Sequence, residues 1–276
     1  MHVYQRTETV FMNISFYYHS LRRDLTNFSY LHHLKFDSFL VSMHQSGTHW
    51  LKYMLASAIS AEYKLPMPKY NHANEIIRGY KEPQIYPNIP RIGHSHSIPS
   101  PLFKSDLLRS IIKHPPYVVL VRDIRDSLIS CYEKWKSRYD CDFSEYLRGD
   151  VKGIRFRQND IWWCIRFLNT WGSVIKKHPQ TTLVVRYEDL RLDPACHLNR
   201  INNFMALKLG RDSIEFAISE STKDKMKDKN DPVQPIGAGV VRDDHAAEKE
   251  HFTAADKEFL KKVCARFLKH NFGYKY

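Results

Sequence analysis

The sequence predicts an α/β fold: a single domain with a central, mostly parallel sheet flanked by helices. Short apolar runs at 36–43 (FDSFLVSM), 117–121 (YVVLV) and 181–187 (TTLVVRY) have the length and β-branched content of buried strands. Each is followed by a helical pattern, and strands alternating with helices imply right-handed crossovers into a parallel sheet. With 276 residues, and no glycine-, serine- or proline-rich linker or internal repeat, the chain suits one large core over 1–276. Hydrophobic residues at 43% and charged residues at 26% are ordinary for a globular protein.

The elements follow in order. Residues 1–35 read as an N-terminal helical extension. Ile14, Tyr17, Leu21, Leu25, Phe28 and Leu31 recur at roughly helical spacing, as in a helix packed on the domain. Arg22 and Arg23 also suit a helix lying on a surface. After the first strand, 44–48 is a loop containing Gly47. The helix beyond it carries Trp50, Leu51, Met54, Leu55 and Ile59 on its apolar side. Residues 63–90 hold five prolines and read as loop, part of a substrate rim. Residues 91–97 (RIGHSHS) form a second, short strand and 102–113 a helix, which Pro115 and Pro116 end before the YVVLV strand. Helices are expected at 124–135 and, rich in tryptophan, at 161–175. Asp193 and Pro194 are the N-cap and first residue of the next. Residues 223–241 read as a charged, turn-rich loop, and 253–269 as a final capped helix.

The formal net charge of +12 draws an anion, be it nucleic acid, a membrane surface or a small molecule, and fits a solvated basic surface equally well. The aromatics lie in helix and strand patterns outside any RNA-binding motif, so no nucleic acid is expected. Five cysteines, an odd number without a CxxC pair, read as reduced thiols of a cytoplasmic protein. No ligand cluster has metal spacing, and no apolar run has membrane-spanning length.

Three strand–turn–helix segments carry the chemistry. HQSGTHW follows the first strand. Ser46, Gly47 and Thr48 at a helix N-terminus make a phosphate cradle or a plain helix cap, though not a Walker loop, since GxxxxGK[ST] is absent. Arg122 ends the YVVLV strand and Ser130 lies on the next helix. Together they suit a second phosphate, unless the arginine simply pairs with Asp123 or Asp126. RYEDL closes the third strand, where Tyr187 could face a base or a phosphate while Glu188 and Asp189 cap or brace neighbouring loops.

In this order, with a histidine in the short strand and LVVRYEDLRLDP after the tryptophan-rich helix, the chain resembles the cytosolic-type sulfotransferases that use 3'-phosphoadenosine 5'-phosphosulfate (PAPS). The likeness is close from about Phe36 to Tyr187 and looser to Phe252. It implies a P-loop nucleotide-kinase-like sheet, PAPS as co-substrate and adenosine 3',5'-bisphosphate (PAP) as product. HQSGTHW matches the family's PKSGTTW loop. By that match Ser46, Gly47 and Thr48, with Gln45 and His49 in the same loop, hold the 5'-phosphate, and Trp50 stacks near the adenine. Arg122 and Ser130 match the 3'-phosphate pair and Tyr187 the adenine contact. Ser221 and Arg242 match further nucleotide contacts. HSH stands where the family has KTH, which makes His96 the base and His94 its rival, since residues two apart in a strand share a face.

Three departures qualify the match. Gln45 replaces the lysine that helps stabilise charge on the bridging oxygen, His49 replaces a threonine, and DDHAAEKEHFT lacks the glycines and tryptophan of the late segment. A slower enzyme, or compensation by His49, His94 or Lys52, is therefore expected. The expected reaction is in-line transfer to the hydroxyl or amine of a small-molecule acceptor that the sequence does not name. The alternatives are a PAP-binding relative with impaired catalysis and a small-molecule P-loop kinase.

Overall fold

A computed structural model describes residues 29–100, 102–139, 141–148, 160–233 and 251–276. Five parallel strands, β1 (Ser38–Ser42), β2 (Ile77–Arg78), β3 (Ile92–Ser95), β4 (Tyr117–Val121) and β5 (Thr182–Arg186), form one sheet in the order β2-β3-β1-β4-β5. The helices among the described residues are α1 (Ser29–His32), α2 (Thr48–Glu62), α3 (Asp106–Ile111), α4 (Ile124–Trp135), α5 (Phe143–Arg148), α6 (Ile161–Lys177), α7 (Tyr187–Leu192), α8 (Pro194–Met205), α9 (Arg211–Glu220), α10 (Lys223–Lys227) and α11 (Ala254–Phe267).

Strand alternation builds the three layers. Phe39, Val41, Tyr117, Val119 and Val121 point to one side, where α4, α6 and α11 cover them with Leu128, Phe167, Trp171 and Leu260. Leu40, Val118 and Leu120 point to the other, against Leu51, Leu55 and Ile59 of α2 and Leu198 and Ile201 of α8. Both faces are covered, so β1 and β4 are buried throughout their length, and β4 is apolar from end to end.

The caps explain most helix starts. Asp193 accepts from Cys196 N at 2.9 Å with Pro194 at the first helical position. Thr253 and Asp256 form a reciprocal capping box on α11. At 102–113 the helix is shorter than expected, because Ser105 accepts from Leu108 N at 3.4 Å and so starts it at Asp106. The charged loop at 223–241 opens with α10, its described remainder being 228–233. Tyr187 begins a helix where the strand was expected to close, and α5 and α9 arise where no helix was expected. Most of the helical extension expected over 1–35 lies outside the described residues.

Candidate functional site

Parallel pairing brings the carboxyl ends of β3, β1, β4 and β5 to one edge, the place where such sheets bind ligands. Three of the expected segments meet there. In the β1–α2 turn, Gln45 (φ 58°) and Gly47 (φ 83°) take left-handed backbone angles. Gly47 is required on two counts: its φ, and the Tyr187 ring, which a Cβ would approach to 2.5 Å. Gly47 caps α2 without a side chain, so the first-turn N–H groups and the positive dipole end remain for a ligand. Ser46 hydroxyl donates to Met43 O at 2.5 Å and fixes the turn.

Ser42, at the end of β1, joins the loop to the histidines. Its carbonyl lies 2.8 Å from His96 Nδ1, and its Oγ lies 3.1 Å from both His94 Nε2 and His96 Nδ1. Thr48 Oγ1 donates to the same Oγ at 2.9 Å. A carbonyl only accepts, so His96 Nδ1 carries the proton and Nε2 carries the lone pair. The Ser42 hydroxyl, already accepting from Thr48, has His94 Nε2 as the acceptor for its own proton. The His94 lone pair is thus used inside the protein, while that of His96 Nε2 is not tied up by Ser42. The His96 ring stacks on His44 at 4.1 Å, and His44 packs on Trp163 at 4.4 Å.

Burial holds these rings neutral. Desolvation lowers His96 to about 4, against the bond to the Ser42 carbonyl, which raises it, and desolvation, then neighbouring charges, lowers His44 to about 2 and His94 well below its ordinary value. His49 is lowered to about 4, chiefly by burial, and donates from Nδ1 to Asn71 Oδ1 at 2.9 Å. Lys52, only 4% exposed, donates to Asn74 Oδ1 at 2.7 Å, and burial lowers it to about 8. Of the three groups expected to compensate for Gln45, only Lys52 therefore carries charge at pH 7.

Arg122 crosses to the first turn, donating from Nη1 to Gln45 O at 2.9 Å, while Ser130 donates to Gln45 Oε1 at 3.4 Å. Its guanidinium also covers the Tyr187 ring at 4.4 Å and reaches Asp126 at 3.8 Å. The pairing of Val121 with Arg186 places the next residues, Arg122 and Tyr187, side by side. Trp50 meets Tyr187 edge to face at 6.2 Å and donates its indole N–H to Ser221 O at 2.8 Å. The Ser221 hydroxyl donates back to Ala217 O at 2.7 Å, so this serine meets Trp50 through its carbonyl. Arg242 lies outside the described residues.

Sequence reasoning missed Ser42, His44 and Asn74. The signal for Ser42 was present: a polar residue ends an otherwise apolar strand immediately before the cradle loop. It also left open what Glu188 braces. Glu188 accepts from Asp123 N at 3.0 Å and from Tyr274 OH at 2.5 Å, tying β4, α7 and the C-terminal turn together.

The sulfotransferase domain family matches residues 35–272. Sulfotransferase 2A6 of Mus musculus is 27% identical over 192 residues, 63% of this chain and 62% of that protein, so this match spans less than two thirds of that relative. The 3-alpha-hydroxysteroid sulfotransferase of Cavia porcellus is 24% identical over 247 residues, 82% of each. Among solved structures, mouse sulfotransferase SULT7A1 complexed with PAP matches with a TM-score of 0.57 at 16% identity, covering 86% of this chain and 84% of that one. Retinol dehydratase in complex with androsterone and inactive cofactor PAP matches with a TM-score of 0.55 at 17% identity, over 87% and 82%. At these identities the structural likeness is one of fold. No helix among the described residues is long and apolar enough to cross a membrane.

Proposed function

The chain belongs to the sulfotransferase domain family, PAPS-dependent enzymes, and on that premise we propose that it transfers a sulfuryl group to the hydroxyl of a hydroxysteroid-like alcohol, with His96 as the base. The observation that carries this reading is the His96–Ser42 carbonyl bond, which leaves Nε2 as a neutral, lone-pair nitrogen beside the cradle. His94 becomes the positioning partner, its lone pair engaged by the Ser42 hydroxyl.

The residues fit the nucleotide. Gly47 and the unobstructed end of α2, with Ser46 and Thr48, suit the 5'-phosphate. Arg122 and Ser130, one turn-to-helix unit away, suit the 3'-phosphate. Trp50 and Tyr187 offer aromatic surface to the adenine, with Gln45, His49 and Ser221 in the same turns and contacts, and the resemblance adds Arg242. PAPS supplies an activated sulfuryl group on a phosphate leaving group. His96 Nε2 takes the acceptor's hydroxyl proton as the oxygen attacks sulfur in line. The α2 N-terminus meets the negative charge that develops on the phosphate oxygen as the bridging bond breaks. We read the chain as one domain over 1–276 with its extension at about 1–35, working in the cytoplasm, where its five free thiols stay reduced.

The test is His96→Ala, assayed as PAPS conversion to PAP with androsterone as acceptor, beside the thermal shift with PAP. Turnover should fall ~10²–10⁴-fold while the PAP shift is kept. Unchanged turnover would remove His96 as base. A wild-type protein that binds PAP yet sulfates no alcohol would favour the impaired relative instead.

A further inference from the structure

We propose that Lys52 supplies, from the second turn of α2, the positive charge that the cradle loop lacks at Gln45, and that this charge acts on the transferring sulfuryl group. The proposal rests on the sulfotransferase reading and adds a group to its site. Lys52 follows Thr48 by one helical turn and so shares its face, the face on which Thr48 reaches Ser42 and the histidine pair. An ammonium in such a place is costly to bury, and here its hydrogen-bond partner is a neutral amide, Asn74 Oδ1 at 2.7 Å, rather than a carboxylate. Asn74 is in turn held through its Nδ2 by Glu82 Oε1 at 3.1 Å, and Glu82 is anchored by Gly79 N at 2.6 Å. The Lys52 head is thus aimed but not neutralised by direct contact.

Its surroundings define what it can act on. From β3 and its end, His94 and His96 face it, and from α2 itself His49. The proton affinity of all three is lowered in part by its charge. From the 63–90 loop, Glu75 and Glu82 favour its charged form, though burial outweighs them and the ammonium titrates at about 8. The three neighbouring histidines are neutral, so Lys52 is the cation that borders His96 from the α2 side at pH 7. Charge placed where negative charge grows in the transition state raises turnover without tightening ground-state binding.

The test uses Lys52→Gln, which keeps a donor toward Asn74 and removes the charge, Lys52→Met, which removes both, and Gln45→Lys in each background. PAPS turnover, with water or androsterone as acceptor, should fall on the order of 10²-fold in both Lys52 variants, and PAP binding should change little. Gln45→Lys should restore turnover in the Lys52 variants. In the wild type, kcat/KM should decline as pH rises through about 8, where Lys52 of the free enzyme loses its proton, and this limb should vanish in Gln45→Lys/Lys52→Gln. Independently of turnover, NMR titration of the Lys52 amine should show its pKa rising when PAP and inorganic sulfate are added together, since an adjacent anion favours the charged form. Undiminished turnover in Lys52→Gln, a loss that Gln45→Lys does not repair, or a wild-type profile flat across pH 7–9 would each overturn the role of Lys52 while leaving the sulfotransferase reading intact. Failure of the wild type to bind PAP would overturn both.

Discussion

The two turns that follow β1 and β4 at the carboxyl edge of the sheet are built on opposite plans. After β1, α2 is capped by Gly47, which brings no side chain, and the turn around it holds hydroxyls and uncharged histidines. After β4, α4 is closed by its own residue: the Asp123 carboxylate accepts from Arg125 N at 2.8 Å and pairs with Arg125 Nη2 at 2.6 Å. The first turn can therefore meet an anion with backbone N–H groups and a dipole. At the second, the helix end is already occupied, and an anion has to be met by side chains, Arg122 and Ser130. The same strand–turn–helix motif thus yields one turn that offers backbone N–H groups and one that offers a guanidinium. Gln45 bridges them, its carbonyl bound by Arg122 and its amide oxygen by Ser130.

The largest expected difference between the two turns is in acid. Four histidines at the first turn, His44, His49, His94 and His96, all have folded-state values below their ordinary range, chiefly through burial. Below pH ~6.5 the unfolded chain takes up protons that the folded site refuses, so stability is full above that pH and lost as pH falls toward 4, at about 1.4 kcal/mol per proton per pH unit. Chemical denaturation across this range should show the loss, and His44→Phe should reduce its slope by about one proton. Next comes a swap of caps. Gly47→Asp would force a side chain onto a φ of 83° and against Tyr187, and would put a carboxylate where the first turn leaves its dipole end open. PAP affinity, read by calorimetry, should fall by at least ~10²-fold. The smallest effect belongs to the self-capped end: Asp123→Ala should cost about 0.5–2 kcal/mol of stability by denaturant titration, with the 5'-phosphate turn unaffected.

The parts legible in the sequence were those where local chemistry and tertiary fate agree. YVVLV is apolar on both faces because both faces are covered, and Asp193-Pro194 and Thr253 mark helix starts with the groups that cap them. Residues 211–220 gave less signal: Gly210 caps α9 without a side chain, and only Ile214 and Ala217 of that helix are buried. At the site, SGT and HSH were readable as motifs. The distinction between His94 and His96 was not, because it depends on which atoms of Ser42 each ring meets. Lys52 stands in sequence as one of three groups able to compensate for Gln45, and only the fold brings Asn74 over it.

The most direct measurement is thermal unfolding with PAP and with ADP, in the wild type and in Arg122→Met. At ~100 times its dissociation constant, PAP should stabilise the wild type by about 2.7 kcal/mol, and ADP at the same concentration far less. In Arg122→Met, which removes charge-assisted bonds worth about 1.5–3 kcal/mol, the PAP shift should shrink toward that of ADP. Equal shifts with PAP and ADP, or no shift with PAP at saturation, would contradict a site in which one turn holds the 5'-phosphate and the other reads the 3'-phosphate.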